Sequence, residues 1–509
     1  MAMASKSQPA DALRPLVNFP WSPWSAEYLA SLCPSDSELG FYTKRVDELK
    51  SRVKAMLMDS TYDAVEKVKL IDLLCRLGVS YHFENEIEDQ LAQIFNSKAI
   101  DVREQHDYDL YTITLLFRVF RQHGYKISCE VFNKFKGDDG ELERTLSSDV
   151  KGMLSLYEAA HLRVHGEDIL DEALDYKITN LDFMKSQVGL IWLESMKYIS
   201  FYEEEESHNE MLIKLAKLDF NHVQLLHQQE LVEVARWYKD AQIEYEYSYA
   251  RQRIAECYLW AMGASFEPQY ACIRTSPQKQ YSRFQSQTIH MMHMVRLANS
   301  NNIQMQFKNG TQGAIHQLPD YMKSLYKIIL DVYDELESNL QSKERSYWVS
   351  YAKDTVKQLV KAYDVEVEWC NKNYVPSFEE YIENALISSG YRAVSVLCFV
   401  GMEEFAGMKD EKKRSQHVST SIECYMKQYK ILSKEEAIKS LKKKIKDLWK
   451  DINKECMGPT ALSRPLFIPF LNLARVMDVF YKHKDEYTDC VILKGFIKSL
   501  FIEGIPIEE

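Results

Sequence analysis

Glycine and proline are scarce in this chain, 17 and 13 among 509 residues. Alternating apolar–polar runs are almost absent as well. Together these lacks exclude a protein built on sheets, whose strands alternate with period two between frequent turns. No apolar run is long enough to span a bilayer, so no membrane partner is expected. The ten cysteines show no CxxC spacing, and they read as reduced, mostly buried thiols of a cytosolic protein. A basic excess is missing too: the net charge is −12, which argues against a nucleic-acid partner. The opening MAMASKSQPADALRP has no apolar segment of signal type and too little arginine for a transit peptide, so a cytoplasmic location is expected. No fixed-period repeat is found, which counts against a TPR or HEAT array.

What is present is helical periodicity in a chain that is 46% hydrophobic and 12% aromatic. The length allows two or more domains with sizeable cores. Apolar residues recur at helical spacing over Glu210 to Lys239 and Tyr321 to Asn339. The acidic run Glu203 to Glu206 reads as the start of a helix, where the dipole favours acids. Asp138–Asp139, flanked by Gly137 and Gly140, reads as a turn. The stretch Tyr249 to Tyr270, YARQRIAECYLWAMGASFEPQY, reads as one helix and its exit. Arg251 and Arg253 stand at its start. Guanidinium groups never lose their charge and hold anions with a fork of donors, which suits phosphate or diphosphate. Read without context, such a pair is usually just solvated.

The context is specific. RQR followed by ECYLW and FEPQY resembles the diphosphate-sensing region of plant terpene synthases. RLGVSYHFENEIEDQL from Arg76, LYEAAHLRVHGEDILDEAL from Leu156, LLHQQEL from Leu225, ECYMKQY from Glu423 and LNLARVMDVFY from Leu471 are similar to that family in the same order. The resemblance implies an all-α fold. Residues 1–199 would form an N-terminal helical domain and residues 200–509 a metal-binding catalytic domain. It implies Mg²⁺, with Mn²⁺ as the alternative ion, and a prenyl diphosphate substrate. Farnesyl diphosphate is expected, since the RRx8W motif of the monoterpene enzymes is absent. A monomer is expected. By the same resemblance Arg251 and Arg253 would hold the diphosphate, and Trp260, Asp485 and Tyr487 would shape the pocket around a cation, which aromatic faces stabilise. Read alone, Trp260 is a core residue and KHKDEYTD a polar loop.

Both acidic metal motifs of the family are altered. Aspartates at i, i+3 and i+4 share one helical face and can share metal ions. No aspartate occurs between Tyr270 and Asp320. Codons for a family-like DDTYDAYG, read one nucleotide late, give Thr288–Ile289–His290–Met291–Met292–His293–Met294. The segment Thr275 to Gln312 is therefore expected to be irregular or poorly packed. The second motif, (N/D)Dxx(S/T)xxxE, corresponds to Glu403, Glu404, Gly407 and Glu411. Glu411 fits, Glu403 is one methylene too long, and Gly407 has no side-chain oxygen; read alone, EEFAGMKDEKKR is a charged solvated helix. The segments leading into Tyr198 and Glu403 are shorter than the family pattern. An inactive family member is the alternative reading.

Overall fold

In a computed structural model of the chain, the described residues are 22–97, 108–137, 148–175, 189–240, 252–268, 347–393, 395–396, 421–458, 464–482, 485–486 and 490–507, with isolated helical positions between 323 and 338. All regular structure among them is helical. No described helix is long and apolar enough to cross a membrane.

The N-terminal helices are α1 (Ala26–Ala30), α2 (Asp36–Leu57), α3 (Ala64–Arg76), α4 (Glu84–Asn96), α5 (Leu110–Gln122), α6 (Val150–Ala160) and α7 (Asp168–Asp175). Several begin where short polar side chains satisfy the orphan amides of a first turn. Ser35 with Glu38, and Asp63 with Glu66, form reciprocal capping boxes on α2 and α3. The core between α3, α5 and α6 contains charge. Arg118 Nη1 lies 2.7 Å from Asp72 Oδ1, Arg76 Nε lies 2.9 Å from Asp72 Oδ2, and Arg76 also pairs with Glu158. Burial alone would raise the Asp72 carboxyl, but Arg118 and Arg76 outweigh it and hold it well below the usual carboxylate range.

Helix α8 (Ile191–Glu203) runs unbroken across Ser200. Its Trp192 ring lies 4.9 Å from the rings of Phe220 and His227 and stacks on Phe266. The shortened segment before Tyr198 thus forms a packed helix. The acidic run is corrected: Glu203 is the last residue of α8, and α9 (Glu210–Asp240) begins only later. Glu203 is held there by Lys217 rather than by a helix dipole.

Helix α9 spans about 46 Å at 1.5 Å per residue. It contacts α1, α2 and α8, then α10 (Ile254–Ala264) and α16 (Val491–Phe501). Between these lie α11 (Tyr347–Asn371), α12 (Phe378–Ser388), α13 (Ser421–Tyr429), α14 (Lys434–Glu455) and α15 (Arg464–Tyr481). One apolar core runs from Trp24 through Trp192 and Tyr258 to Phe501.

Candidate active site

The site is built on α10. Its first turn carries Arg253 at the N-cap, with the side chain buried and Nη1 donating to the Gln252 carbonyl at 3.0 Å. Gln252 reaches the N-terminal segment: its Oε1 accepts from the Ala26 amide at 3.1 Å. Glu256, one turn on, is fully buried. Burial raises its carboxyl above the ordinary range, against opposing contributions from its backbone, Ser22 and Arg253.

Trp260 follows Arg253 by seven residues, about two turns into α10. It is half-buried, 4.6 Å from the Phe480 ring and 6.2 Å from Tyr481. Both partners end α15. Burial raises the Tyr481 hydroxyl, and the nearby Asp485 carboxylate raises it further. Asp485 itself is exposed. Its neighbour Glu486 is buried; the Glu486 amide donates to the Phe480 carbonyl at 2.9 Å, and Oε2 accepts from the Ile492 amide at 3.3 Å in the first turn of α16.

Of the residues expected from sequence, the structure places Arg253 at the N-cap of α10, Trp260 within that helix and Asp485 beside Tyr481, one aromatic partner of Trp260. Arg251, Tyr487, Glu403, Glu404 and Glu411 lie outside the described residues, as do Asp138–Asp139 and the whole segment Thr275 to Gln312. Among the described residues no three His, Cys, Asp or Glu side chains converge to hold a metal ion.

Sequence reasoning missed the support behind α10. His227 of α9 is fully buried, with Nδ1 2.7 Å from the Tyr258 hydroxyl and Nε2 3.1 Å from the Phe266 carbonyl. The Tyr258 hydroxyl donates to Glu230 at 2.8 Å. The i, i+3 pair His227 and Glu230 inside LLHQQEL was the available signal. Gln228 of that segment and Gln224 just before it donate to carbonyls at the end of α16, at 2.8 Å to Phe501 and 3.0 Å to Leu500.

The terpene synthase N-terminal domain matches residues 23–197, and the metal-binding domain of the terpene synthase family matches residues 239–408 and 402–451. A probable terpene synthase of Ricinus communis is 41% identical over 555 positions, covering 98% of this chain and 99% of that relative. The chain belongs to the terpene synthase family. A valerianol synthase of Camellia hiemalis is 40% identical, with 98% of each chain covered. The alignment with the Ricinus relative is longer than this chain's 509 residues, so this family member lacks segments that its relative carries. Isoprene synthase from grey poplar leaves superposes with a TM-score of 0.81 at 24% identity, covering 97% of this chain and 100% of that one, which shows a shared fold. Metal binding is thus the family function of the C-terminal half.

Proposed function

We propose that this terpene synthase takes farnesyl diphosphate as substrate and Mg²⁺ as its metal, in the cytosol. The observation that carries the reading is the spacing of Arg253, the N-cap of α10, and Trp260, seven residues on within that helix. A charged head and an aromatic wall about 10 Å apart along a helix suit a prenyl diphosphate lying along it. Arg253, with Arg251, would retain the diphosphate, while Trp260 and Tyr487 would present ring faces to the cation and Asp485 would border them. The metal would neutralise charge on the leaving group. Its ligands would be Glu403, Glu404 and Glu411; the described residues supply no alternative set. A cytosolic location fits the thiols of Cys33, Cys75, Cys129, Cys456 and Cys490, which carry no disulfide.

A second reading, a catalytically inactive member that keeps the scaffold, is favoured by the altered acidic motifs. Mg²⁺ needs several converging oxygens in near-octahedral geometry, and a glycine stands at one ligand position. The two readings separate in one experiment. Purified chain is titrated with geranyl, farnesyl and geranylgeranyl diphosphate, and then incubated with each and Mg²⁺ for gas chromatography. Binding should favour farnesyl diphosphate and weaken about tenfold or more in R253Q, the loss of a charge-assisted contact. The unmodified chain is expected to release no terpene above background. Mg²⁺-dependent product would exclude the inactive reading; equal binding of all three lengths would exclude the farnesyl assignment.

A further inference from the structure

The N-terminal segment reaches the turn that carries the proposed diphosphate ligand Arg253. Helix α1 opens at Ala26 and packs on α9, with Ala26 and Leu29 fully buried. A helix leaves its first amides without partners of its own. Ser25 takes one of them, accepting from the Tyr28 amide at 3.2 Å. The Ala26 amide is taken from 226 residues away, by Gln252 Oε1 at 3.1 Å. Without that acceptor a buried donor would be left to bear its desolvation cost.

Gln252 stands just before α10 and is itself buried. Arg253, the N-cap, has φ −141° and ψ 33°, outside the helical region, and makes no side-chain capping bond. The Gln252 carbonyl therefore lies outside the ladder that fixes the rest of α10, and it accepts from Arg253 Nη1 at 3.0 Å. Glu256, one turn on, could offer a carboxylate to the same guanidinium, but neither of its oxygens makes a hydrogen bond among the described residues. One residue thus takes the Ala26 amide on its side chain and Arg253 on its carbonyl. Ser22, four residues before Ala26, lies beside Glu256, so the N-terminal segment meets this turn at two points. Anchoring Gln252 in this way removes freedom that Arg253 would otherwise lose on binding an anion.

We propose that Gln252 is a positioning residue for diphosphate binding, linking the docked N-terminal segment to the Arg253 guanidinium so that a seated α1 and a bound anion stabilise each other. The inference rests on Arg253 as a diphosphate ligand; Gln252 acts through it and need not touch the anion.

The test is calorimetric titration of the full chain with inorganic diphosphate. Q252M keeps the length of the side chain and removes its acceptor. A26P removes the donor from the other side: position 26 is the first of its helix, where proline fits, and Ser25 at φ −70° and ψ 155° already has the extended backbone that precedes a proline. Each is expected to weaken binding about threefold to tenfold, as the loss of one neutral hydrogen bond would. Q252M/A26P should bind no more weakly than the weaker single variant, because both remove the same contact. In an R253Q background Q252M should have no further effect. Amides 26–30 should exchange more slowly with diphosphate in the parent chain and not in Q252M, since the coupling is reciprocal. Melting points without diphosphate check that each variant folds, and either single variant suffices where the other does not. Full affinity in folded Q252M or A26P, with R253Q weakened, overturns the link and leaves the Arg253 assignment standing. Additive losses in the double variant overturn it too. Undiminished binding in R253Q overturns the Arg253 assignment and this inference together.

Discussion

Gly263 shows how one missing carbon sets the approach of two helices. A Cβ there would stand 2.2 Å from Val476 Cγ2, so α10 and α15 approach as closely as they do only because this residue has none. G263A should destabilise the chain by about 1–3 kcal/mol through overpacking. G263A with V476A should cost less than the sum of the two single changes, a coupling that urea denaturation of the four proteins measures. His123 carries a pH signature. Burial first, then the Arg464 charge, lowers its imidazole to about 3, while Nδ1 donates to the Val119 carbonyl at 2.8 Å. The unfolded chain takes the proton near the ordinary value of about 6.5 and the folded chain does not. This contribution is therefore complete above about 6.5 and is lost as pH falls from there toward 3, at about 1.4 kcal/mol per unit. H123Q should flatten the acid limb of the stability profile between pH 6 and 4 by up to that slope. Equal slopes in the two proteins would exclude His123 as its source.

At the scale of elements, α9 is the spine on which the C-terminus hangs. Asn221, Gln224 and Gln228 share one of its faces. Asn221 exchanges bonds of 2.9 and 2.7 Å with the Ile505 backbone, and Gln224 bonds the carbonyls of Ser499, Leu500 and Glu503 at 3.0–3.1 Å. Those carbonyls belong to or follow the last turn of α16, where a helix has no acceptor bonds of its own. Q224A should leave them unsatisfied and cost about 1–3 kcal/mol. Loss of hydrogen-exchange protection should concentrate in residues 491–505 and spare α3 and α5. A uniform loss across the chain would instead make Gln224 a general core residue.

At the scale of the whole molecule, the two halves are tied by polar contacts around α14. Lys450 Nζ lies 2.5 Å from Asp171 Oδ2, and Asn453 Nδ2 donates to the carbonyls of His161 and Arg163 at 2.7 and 2.9 Å. A single apolar core beneath them passes from the N-terminal helices into α10, α15 and α16. If both links carry cooperativity, breaking the polar one should expose it. K450M/N453A should lower the melting point and separate the calorimetric transition into two, the N-terminal half retaining its buried Asp72–Arg76–Arg118 network. A single sharp transition, merely shifted, would show that the apolar core alone couples the halves.

Much of the architecture was legible because helices are local objects. The apolar period over Glu210 to Lys239 matched α9 to within one residue at its end, and Arg253 stands where the start of its helix was read. Scarce glycine and proline, with no alternating runs, excluded sheets before any contact was known. Other features depend on residues far apart in the chain. Glu203 ends a helix rather than starting one because Trp192 and Ile199 bury α8 against the core, a gain larger than the dipole preference of an exposed acid. The pairing of Trp260 with Phe480 and the hold of His227 on Tyr258 join residues 220 and 31 positions apart. Periodicity and capping act over a few residues and so determined the helices; burial and charge compensation act between whichever helices meet, and only the packed chain decided those.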